Sequence, residues 1–138
     1  MFFMLRTAAL PAARSLSAVA LMSAMLVASG GAQARLFGWA TEEPTVFVSE
    51  LPEQGQQTYR LIFQGGPFFH DKDGAVFGNR ERLLPAKKRG YYREYTVETP
   101  GSRDRGARRI VCGGERRTAP KACYYTSDHY SSFKRIVE

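Results

Sequence analysis

The spacing of apolar residues predicts one helix in the first part of the folded chain. Apolar side chains recur with roughly helical spacing, at Leu51, Tyr59, Ile62 and Phe63. Pro52 and its acidic neighbours are typical of a helix start, which we expect within residues 49–53 with Pro52 in the first turn. Gly65 and Gly66 should end the helix. One face of this helix is therefore expected to be buried against a sheet.

Beyond Pro67 the pattern changes to short runs of β-branched and aromatic residues separated by turn residues. These runs predict strands at about residues 91–98, 108–112, 122–126 and 132–137. The run at 46–48 is compatible with a short strand or an extended lead-in. A helix followed by sequential strands implies the α+β class, with a small antiparallel β-sheet packed against one N-terminal α-helix.

The N-terminal segment has the pattern of a secretory signal peptide. Residues 1–34 contain no acidic residue, two arginines, a short apolar run at 16–28 and the small residues Ala32 and Ala34 around Gln33. This pattern predicts cleavage after Ala34. A transmembrane anchor is less favoured because the apolar run is short and rich in alanine and serine. We expect residues 35–43 to be flexible and residues 44–138 to form one domain, in a protein exported to the periplasm or the medium.

The charge balance indicates an anionic partner without identifying it. Removing residues 1–34 takes away two of the 20 basic residues and none of the 13 acidic ones, so the net charge falls from +7 to +5. A small basic exported protein is suited to nucleic acid, a membrane surface or an acidic polysaccharide.

The two cysteines, Cys112 and Cys123, should form a disulfide, because the compartment after export is oxidising. It would close a loop containing Gly113, Gly114 and Pro120. A metal site is the weaker alternative, since no histidine pattern accompanies the two cysteines.

One carboxylate and two arginines suggest chemistry on a phosphate. In the strand around Glu94, alternation places Tyr92, Glu94 and Thr96 on one face. The turn at Pro100–Gly101 then returns the chain with Arg105 and Arg109. Guanidinium groups bind phosphoryl oxygens and a carboxylate can accept a proton. The alternative is a solvated hairpin with surface salt bridges.

Four motifs in a fixed order along the chain resemble those of a known protein family. They are residues 74–81 (GAVFGNRE), 90–97 (GYYREYTV), 99–110 (TPGSRDRGARRI) and 124–130 (YYTSDHY). Together they resemble the guanyl-specific extracellular microbial ribonucleases, the barnase and ribonuclease Sa family, most closely its ribonuclease Sa branch. The similarity runs from about Leu51 to Val137.

The resemblance implies the catalytic roles. Glu94 corresponds to the general base and His129 to the general acid, because a histidine can carry a proton near neutral pH. Arg105 and Arg109 match the phosphate-binding arginines. Tyr130 matches a tyrosine beside the acid that bonds the phosphate, although a packing role stays open. His70 has no catalytic partner in the pattern.

The resemblance also implies a guanine site at residues 77–81. Phe77 would stack on the base, and the backbone N–H groups of Gly78, Asn79 and Arg80 would face its acceptors. The carboxylate of Glu81 would accept from the two N–H donors of guanine, which adenine lacks. Two departures from the family stand out. Gly78 replaces a larger polar residue, and the cysteines do not join the ends of the domain.

The function implied by the resemblance is a secreted endoribonuclease that cleaves single-stranded RNA 3′ of guanosine. The reaction would pass through a 2′,3′-cyclic phosphate to a 3′-phosphate, with no metal or other cofactor. A non-catalytic basic module that binds RNA or another polyanion is the alternative. A toxin neutralised by an acidic barstar-like inhibitor protein is the same chemistry in another role. We expect a monomer with RNA as its substrate.

Overall fold

The computed structural model describes residues 42–138, so the predicted signal peptide and most of the predicted flexible segment lie outside the described residues. The elements in chain order are β1 (Thr45–Phe47), a 3-10 turn (Val48–Glu50), α1 (Glu53–Gln64), β2 (Ala75–Val76), β3 (Tyr92–Thr96), β4 (Arg109–Gly113), β5 (Ala122–Thr126) and β6 (Lys134–Val137). No helix in this region is long and apolar enough to cross a membrane.

The helix begins and ends through backbone constraints visible in the sequence. Pro52 precedes the first turn and accepts the N–H of Gln56 at 3.0 Å, so the proline lies just before the helix rather than inside it. Gly65 adopts a left-handed conformation with φ of 85°, which lets Gly66 donate back to the carbonyl of Leu61 at 3.0 Å. The predicted end is confirmed, whereas the predicted start is slightly early because residues 48–50 form a separate turn.

The buried face of α1 differs in one residue from the predicted face. Ile62 and Thr58 are buried, and the Thr58 hydroxyl donates to the carbonyl of Thr96 in β3 at 3.1 Å. Phe63 was expected to be buried, but its side chain is 41% exposed. Consecutive helical residues point about 100° apart, so a helix that buries Ile62 turns Phe63 away from the sheet. Phe63 instead packs edge-on against Tyr59, one turn earlier.

The sheet has six strands in the order β1-β6-β5-β4-β3-β2. Strands β2 to β6 pair in antiparallel fashion with their sheet neighbours, which confirms the α+β prediction. Two details differ from the prediction. Strand β1 pairs with β6 in parallel, and the two-residue strand β2 pairs with Arg93 and Glu94 of β3. Neither pairing has a local signature, since β1 and β2 are too short to show a period.

The sheet buries residues on both faces. One core cluster contacts α1 and includes Tyr95, Val97, Ile110 and Ile136. The cluster on the opposite face consists of Leu84, Tyr92, Val111 and Tyr124. Because side chains alternate along β3, Glu94 and Thr96 lie on the face away from the helix.

The predicted disulfide between Cys112 and Cys123 is confirmed. The two residues lie directly opposite each other on β4 and β5, with a Cα–Cα distance of 4.1 Å. Both are buried in the helix-side core. The bond therefore clamps the base of the loop that joins these strands.

Candidate active site

A cleft of about 710 Å³ opens on the face of the sheet away from α1. Eight of the site residues predicted from the sequence line it together, namely Phe77, Gly78, Asn79, Arg80, Glu81, Glu94, His129 and Tyr130. The predicted base-binding segment and the predicted acid and base thus face one solvent-accessible space. His70 lies elsewhere and its ring is hydrogen-bonded to Glu98.

Glu94 is held at both of its carboxylate oxygens. The hydroxyl of Tyr130 donates to Oε2 at 2.8 Å. The guanidinium of Arg105 donates to Oε1, with Nη2 at 3.2 Å and Nη1 at 3.3 Å. The side chain of Glu94 is 15% exposed, so the carboxylate is fixed in orientation but still reaches the cleft.

Burial and Glu94 together keep Tyr130 in its protonated form. Loss of solvent is the largest cause, and the hydrogen bond and charge of Glu94 add to it, raising the pKa of Tyr130 to about 12. The nearby charge of Arg109 acts in the opposite direction. Tyr130 is therefore a hydrogen-bond donor to Glu94 at all ordinary pH values.

Arg105 is positioned by residues on two elements. Its Nε donates to Oγ1 of Thr96 at 2.7 Å, so the neighbour of Glu94 on the same strand face aims the guanidinium. Behind it lies Asp73, whose side chain is only 4% exposed and whose Oδ1 is 3.8 Å from Nη2 of Arg105. The same Oδ1 accepts the backbone N–H of Thr96 at 2.7 Å. Asp73 thus ties the loop before β2 to the strand that carries Glu94.

Arg109 is more deeply placed than the sequence suggests. It is only 2% exposed and does not line the cleft. Its Nη1 donates to three backbone carbonyls, those of Arg108 at 2.7 Å, Gly106 at 2.9 Å and Arg105 at 3.4 Å. Its buried Nε has no acceptor among residues 42–138.

The loop that carries His129 is organised by Asp128. The Asp128 carboxylate accepts from the hydroxyl of Ser132 at 2.5 Å, the hydroxyl of Thr126 at 2.8 Å and the N–H of Ser132 at 2.9 Å. These bonds lower the pKa of Asp128 to about 2. They allow His129 and Tyr130 to hold left-handed φ angles of 52° and 71°, which non-glycine residues adopt only when the surroundings impose them.

The backbone N–H of His129 is also fixed, because it donates to the carbonyl of Ala107 at 3.0 Å. The loop carrying the predicted acid is thereby joined to the segment that carries Arg105 and Arg109. The His129 and Tyr130 rings lie 4.8 Å apart. The backbone of the loop is thus held beside the cleft, and the exposed His129 ring packs against the ring of Tyr130.

The predicted base-binding segment is held by the side chain of Asn79. Its Nδ2 donates to the carbonyl of Leu84 at 2.9 Å, and its Oδ1 accepts the N–H of Leu84 at 3.1 Å. Asn79 has a left-handed φ of 48°, a conformation that asparagine tolerates better than most residues. Because Leu84 is a core residue, this pair of hydrogen bonds anchors the loop whose residues line the cleft.

The aromatic wall of the cleft is built from three rings. Phe77 packs against Tyr130 with ring centroids 5.1 Å apart and against Phe133 at 5.9 Å. Phe77 is half-buried on the core beneath. Its ring therefore presents an apolar surface beside the carboxylate of Glu94, as base stacking requires.

The comparisons with known proteins agree with this geometry. A family model described as ribonuclease matches residues 39–137. The chain belongs to this ribonuclease family. Across residues 42–138, no three His, Cys, Asp or Glu side chains cluster closely enough to hold a metal ion.

Two curated relatives come from Kitasatospora aureofaciens. Guanyl-specific ribonuclease Sa3 is 55% identical over 91 residues, which are 66% of this chain and 62% of that protein. The match therefore spans somewhat less than two thirds of that relative. Guanyl-specific ribonuclease Sa is 50% identical over 92 residues, which are 67% of this chain and 92% of that protein.

Solved structures of ribonuclease Sa2 share the fold. One, described as complexes with mononucleotides, has a TM-score of 0.64 and 46% identity, covering 70% of this chain and 95% of that one. Another, described as a complex with 3′-GMP, has a TM-score of 0.60 and 44% identity, covering 68% and 96%. Those nucleotides are bound by Sa2, and this chain has the same fold as Sa2.

Asp73 could not be identified as a site residue from the sequence, and neither could the role of the Asn79 side chain. Asp73 positions Arg105 and Thr96, but it lies in a polar turn where an aspartate is unremarkable. The sequence pattern assigns a function only to the backbone of Asn79, whereas its side chain anchors the segment to Leu84. Asp128 offered one usable signal, since aspartate two residues after a threonine and before a tight turn often accepts local hydrogen bonds.

Proposed function

We propose that this ribonuclease is a guanyl-specific endoribonuclease that cleaves single-stranded RNA 3′ of guanosine. The observation that carries the proposal is the shared cleft, where the base-binding segment, Glu94, His129 and Tyr130 meet. Relatives named guanyl-specific ribonucleases, and Sa2 structures with guanosine 2′-cyclophosphate and 3′-GMP, support the same substrate and products.

In the first step Glu94 takes the proton of the ribose 2′-hydroxyl. The 2′-oxygen then bonds to phosphorus while the bond from phosphorus to the 5′-oxygen breaks. His129 delivers a proton to that 5′-oxygen, which leaves as a hydroxyl and gives a 2′,3′-cyclic phosphate. The orientation of the Glu94 carboxylate by Tyr130 and Arg105 reduces the entropy lost on reaching this geometry.

In the second step the two residues exchange roles. His129 accepts a proton from water, whose oxygen attacks phosphorus, and Glu94 returns a proton to the 2′-oxygen. The products are a 3′-phosphate and a free 2′-hydroxyl. Arg105, on the Glu94 face, is assigned to the charge that develops on the phosphoryl oxygens. Arg109 is assigned a supporting role through its positive charge and its hold on the 105–108 backbone.

Guanine recognition is assigned to residues 77–81. Phe77 supplies the stacking surface, and the exposed carboxylate of Glu81 is available to accept from the N1–H and N2–H of guanine. The backbone N–H groups of Gly78, Asn79 and Arg80 would meet the O6 and N7 acceptors. Adenine would leave Glu81 without its pair of donors.

Cleavage of short RNAs that contain a single guanosine, in the presence of a chelator, tests the proposal. We expect cuts only after guanosine, with the cyclic phosphate appearing first. The Glu94→Gln and His129→Ala variants should lose most of the activity, whereas the matched variants Glu98→Gln and His70→Ala, outside the cleft, should keep it. Folded protein that binds RNA without cleaving it would instead support the polyanion-binding alternative.

Export and a protein inhibitor are further parts of the proposal. The signal-like residues 1–34 support secretion, which N-terminal sequencing of the protein recovered outside the cytoplasm would test. An acidic inhibitor would suit the basic character of the chain. Loss of inhibition in high salt would support such an electrostatic partner. A monomer is expected, and light scattering would measure it.

A further inference from the structure

A second cavity, of about 120 Å³, lies on the opposite face of the sheet from the catalytic cleft. It is formed between β3 and the loop at residues 113–121. We call it the arginine pocket, because three of its lining residues are Arg93, Arg116 and Arg117. Two aromatic residues, Tyr91 and Tyr95, form part of its wall. None of the proposed steps of catalysis uses these residues.

The loop that carries Arg116 and Arg117 is pre-organised. The Cys112–Cys123 disulfide closes its base. Within it, the backbone N–H of Lys121 donates to the carbonyl of Gly113 at 2.8 Å, and the backbone N–H of Ala119 donates to the carbonyl of Arg116 at 3.2 Å. A ligand bound here would therefore not have to pay the entropy of ordering the loop.

The positive charge of the pocket is not neutralised by the described residues. Neither Arg116 nor Arg117 forms an ion pair within residues 42–138. The one acidic residue in the lining, Glu115, is paired with Lys88 at 3.5 Å. Arg93 donates one N–H group to the carbonyl of Gly74 at 2.8 Å, which fixes its position, and it forms no ion pair with any described residue.

Tyr95 lines the pocket together with Arg93 and Arg117. Burial raises the pKa of Tyr95, while the positive charges of Arg117 and Arg93 act to lower it. Asp73 is the acidic group that also acts on this tyrosine, and its carboxylate is engaged by Thr96 and Arg105 on the far side. The arginine side chains that act on Tyr95 line the same small cavity as the tyrosine itself.

We propose that the arginine pocket binds a phosphate group. Guanidinium forks match the geometry of phosphoryl oxygens, and the small volume suits a compact anion rather than a nucleoside. In the proposed ribonuclease, the phosphate belongs to a part of the RNA strand outside the cleft. The assignment of this phosphate to RNA rests on the proposed function, whereas phosphate binding itself does not.

Titration with inorganic phosphate, followed by NMR at constant ionic strength in chloride buffer, tests the site directly. We expect saturable shift changes in the signals of Arg93, Arg116 and Arg117, separate from changes in the cleft. They should vanish in the Arg116→Gln/Arg117→Gln variant. The matched variant Arg60→Gln/Lys134→Gln removes the same charge outside both cavities and should retain them. Changes that do not saturate, or that persist in the first variant, would overturn the proposal.

Binding of a twelve-residue oligodeoxythymidylate, measured by fluorescence anisotropy, tests the source of the phosphate. This strand lacks the 2′-hydroxyl and cannot be cleaved by the proposed mechanism, so the result is independent of activity. The Arg116→Gln/Arg117→Gln variant should bind about three- to tenfold more weakly, and the Arg60→Gln/Lys134→Gln variant much less so. Cleavage of a guanosine-containing dinucleotide should be equal in all three proteins. Equal weakening in both variants would show that the strand does not use the pocket.

Discussion

The hydroxyl of Tyr130 lies 2.8 Å from Oε2 of Glu94 and donates a hydrogen bond to it. The two residues are 36 positions apart, and one lies on β3 while the other lies in the loop before β6. Arg105 holds the other oxygen of the same carboxylate. The proposed base is thereby fixed from both sides before any substrate arrives.

Replacing Tyr130 with phenylalanine should weaken catalysis without removing the aromatic wall. The hydrogen bond to a charged group is worth about 1.5–3 kcal/mol, so the free energy of unfolding should fall by about that amount or less. We expect kcat/KM to fall by about tenfold, because Glu94 loses one of its two orienting contacts. Tyr59→Phe, on the helix, is the matched control for removing a tyrosine hydroxyl. Unchanged kcat/KM in the Tyr130 variant would contradict the orienting role.

Replacing Asp73 with asparagine should disturb Arg105 through the residues behind it. The amide can keep one acceptor oxygen for Thr96, but it removes the negative charge beside the guanidinium. We expect a loss of about 1–3 kcal/mol in the free energy of unfolding and a fall in kcat larger than the change in KM. The exposed Asp71 is two residues away, and Asp71→Asn should leave both quantities nearly unchanged. Loss of stability with full kcat would show that Asp73 is only structural.

Replacement by alanine should change the free energy of unfolding in opposite directions at Gly78 and Gly106. At Gly78 an added Cβ would lie 3.6 Å from Cγ of Arg80, an ordinary contact, and its φ is not positive. Gly78→Ala should therefore raise the free energy of unfolding by about 0.4–1 kcal/mol, with guanine preference retained.

At Gly106, by contrast, φ is 66° and a Cβ would lie 2.6 Å from Oγ1 of Thr99. Gly106→Ala should destabilise the protein by more than about 1 kcal/mol and displace the carbonyl that Arg109 bonds. Urea denaturation of both variants measures the difference. A Gly78 variant less stable than wild type would indicate that the segment needs the freedom of glycine.

Lowering the pH should destabilise the loop that carries His129. The hydrogen bonds from Ser132 and Thr126 lower the pKa of Asp128 from 3.8 to about 2. A carboxyl group whose pKa is lower in the folded state stabilises fully above its unfolded pKa, and this contribution disappears as the pH falls through the folded pKa. The loss should therefore occur between about pH 4 and pH 2.

Unfolding measurements from pH 5 to pH 2 test this effect. Asp128→Asn should flatten the decline in stability over that range, and Ser132→Ala should flatten it partially because two of the donors remain. An Asp128→Asn variant with the wild-type slope would show that other carboxyl groups cause the acid sensitivity. Asp104, whose pKa is also lowered, is the first of these to examine.

The elements predicted correctly are those with a local physical signature. Alternation along β3 places Glu94 and Thr96 on one face because successive strand residues point in opposite directions. The end of α1 at Gly65 follows from the left-handed conformation that glycine adopts without strain. The four ordered motifs alone indicate the ribonuclease family, because each belongs to a short continuous stretch of the chain.

Tertiary structure decided what depends on residues far apart in the chain. The contact of Asp73 with Thr96 spans 23 positions, and β1 meets β6 across nearly the whole domain. The burial of Arg109 and the exposure of Phe63 depend on how β4 and α1 are oriented in the fold. Spacing in a sequence reports the period of one element. The contacts between elements are set by packing and hydrogen-bond satisfaction over the whole domain, so only the folded structure shows them.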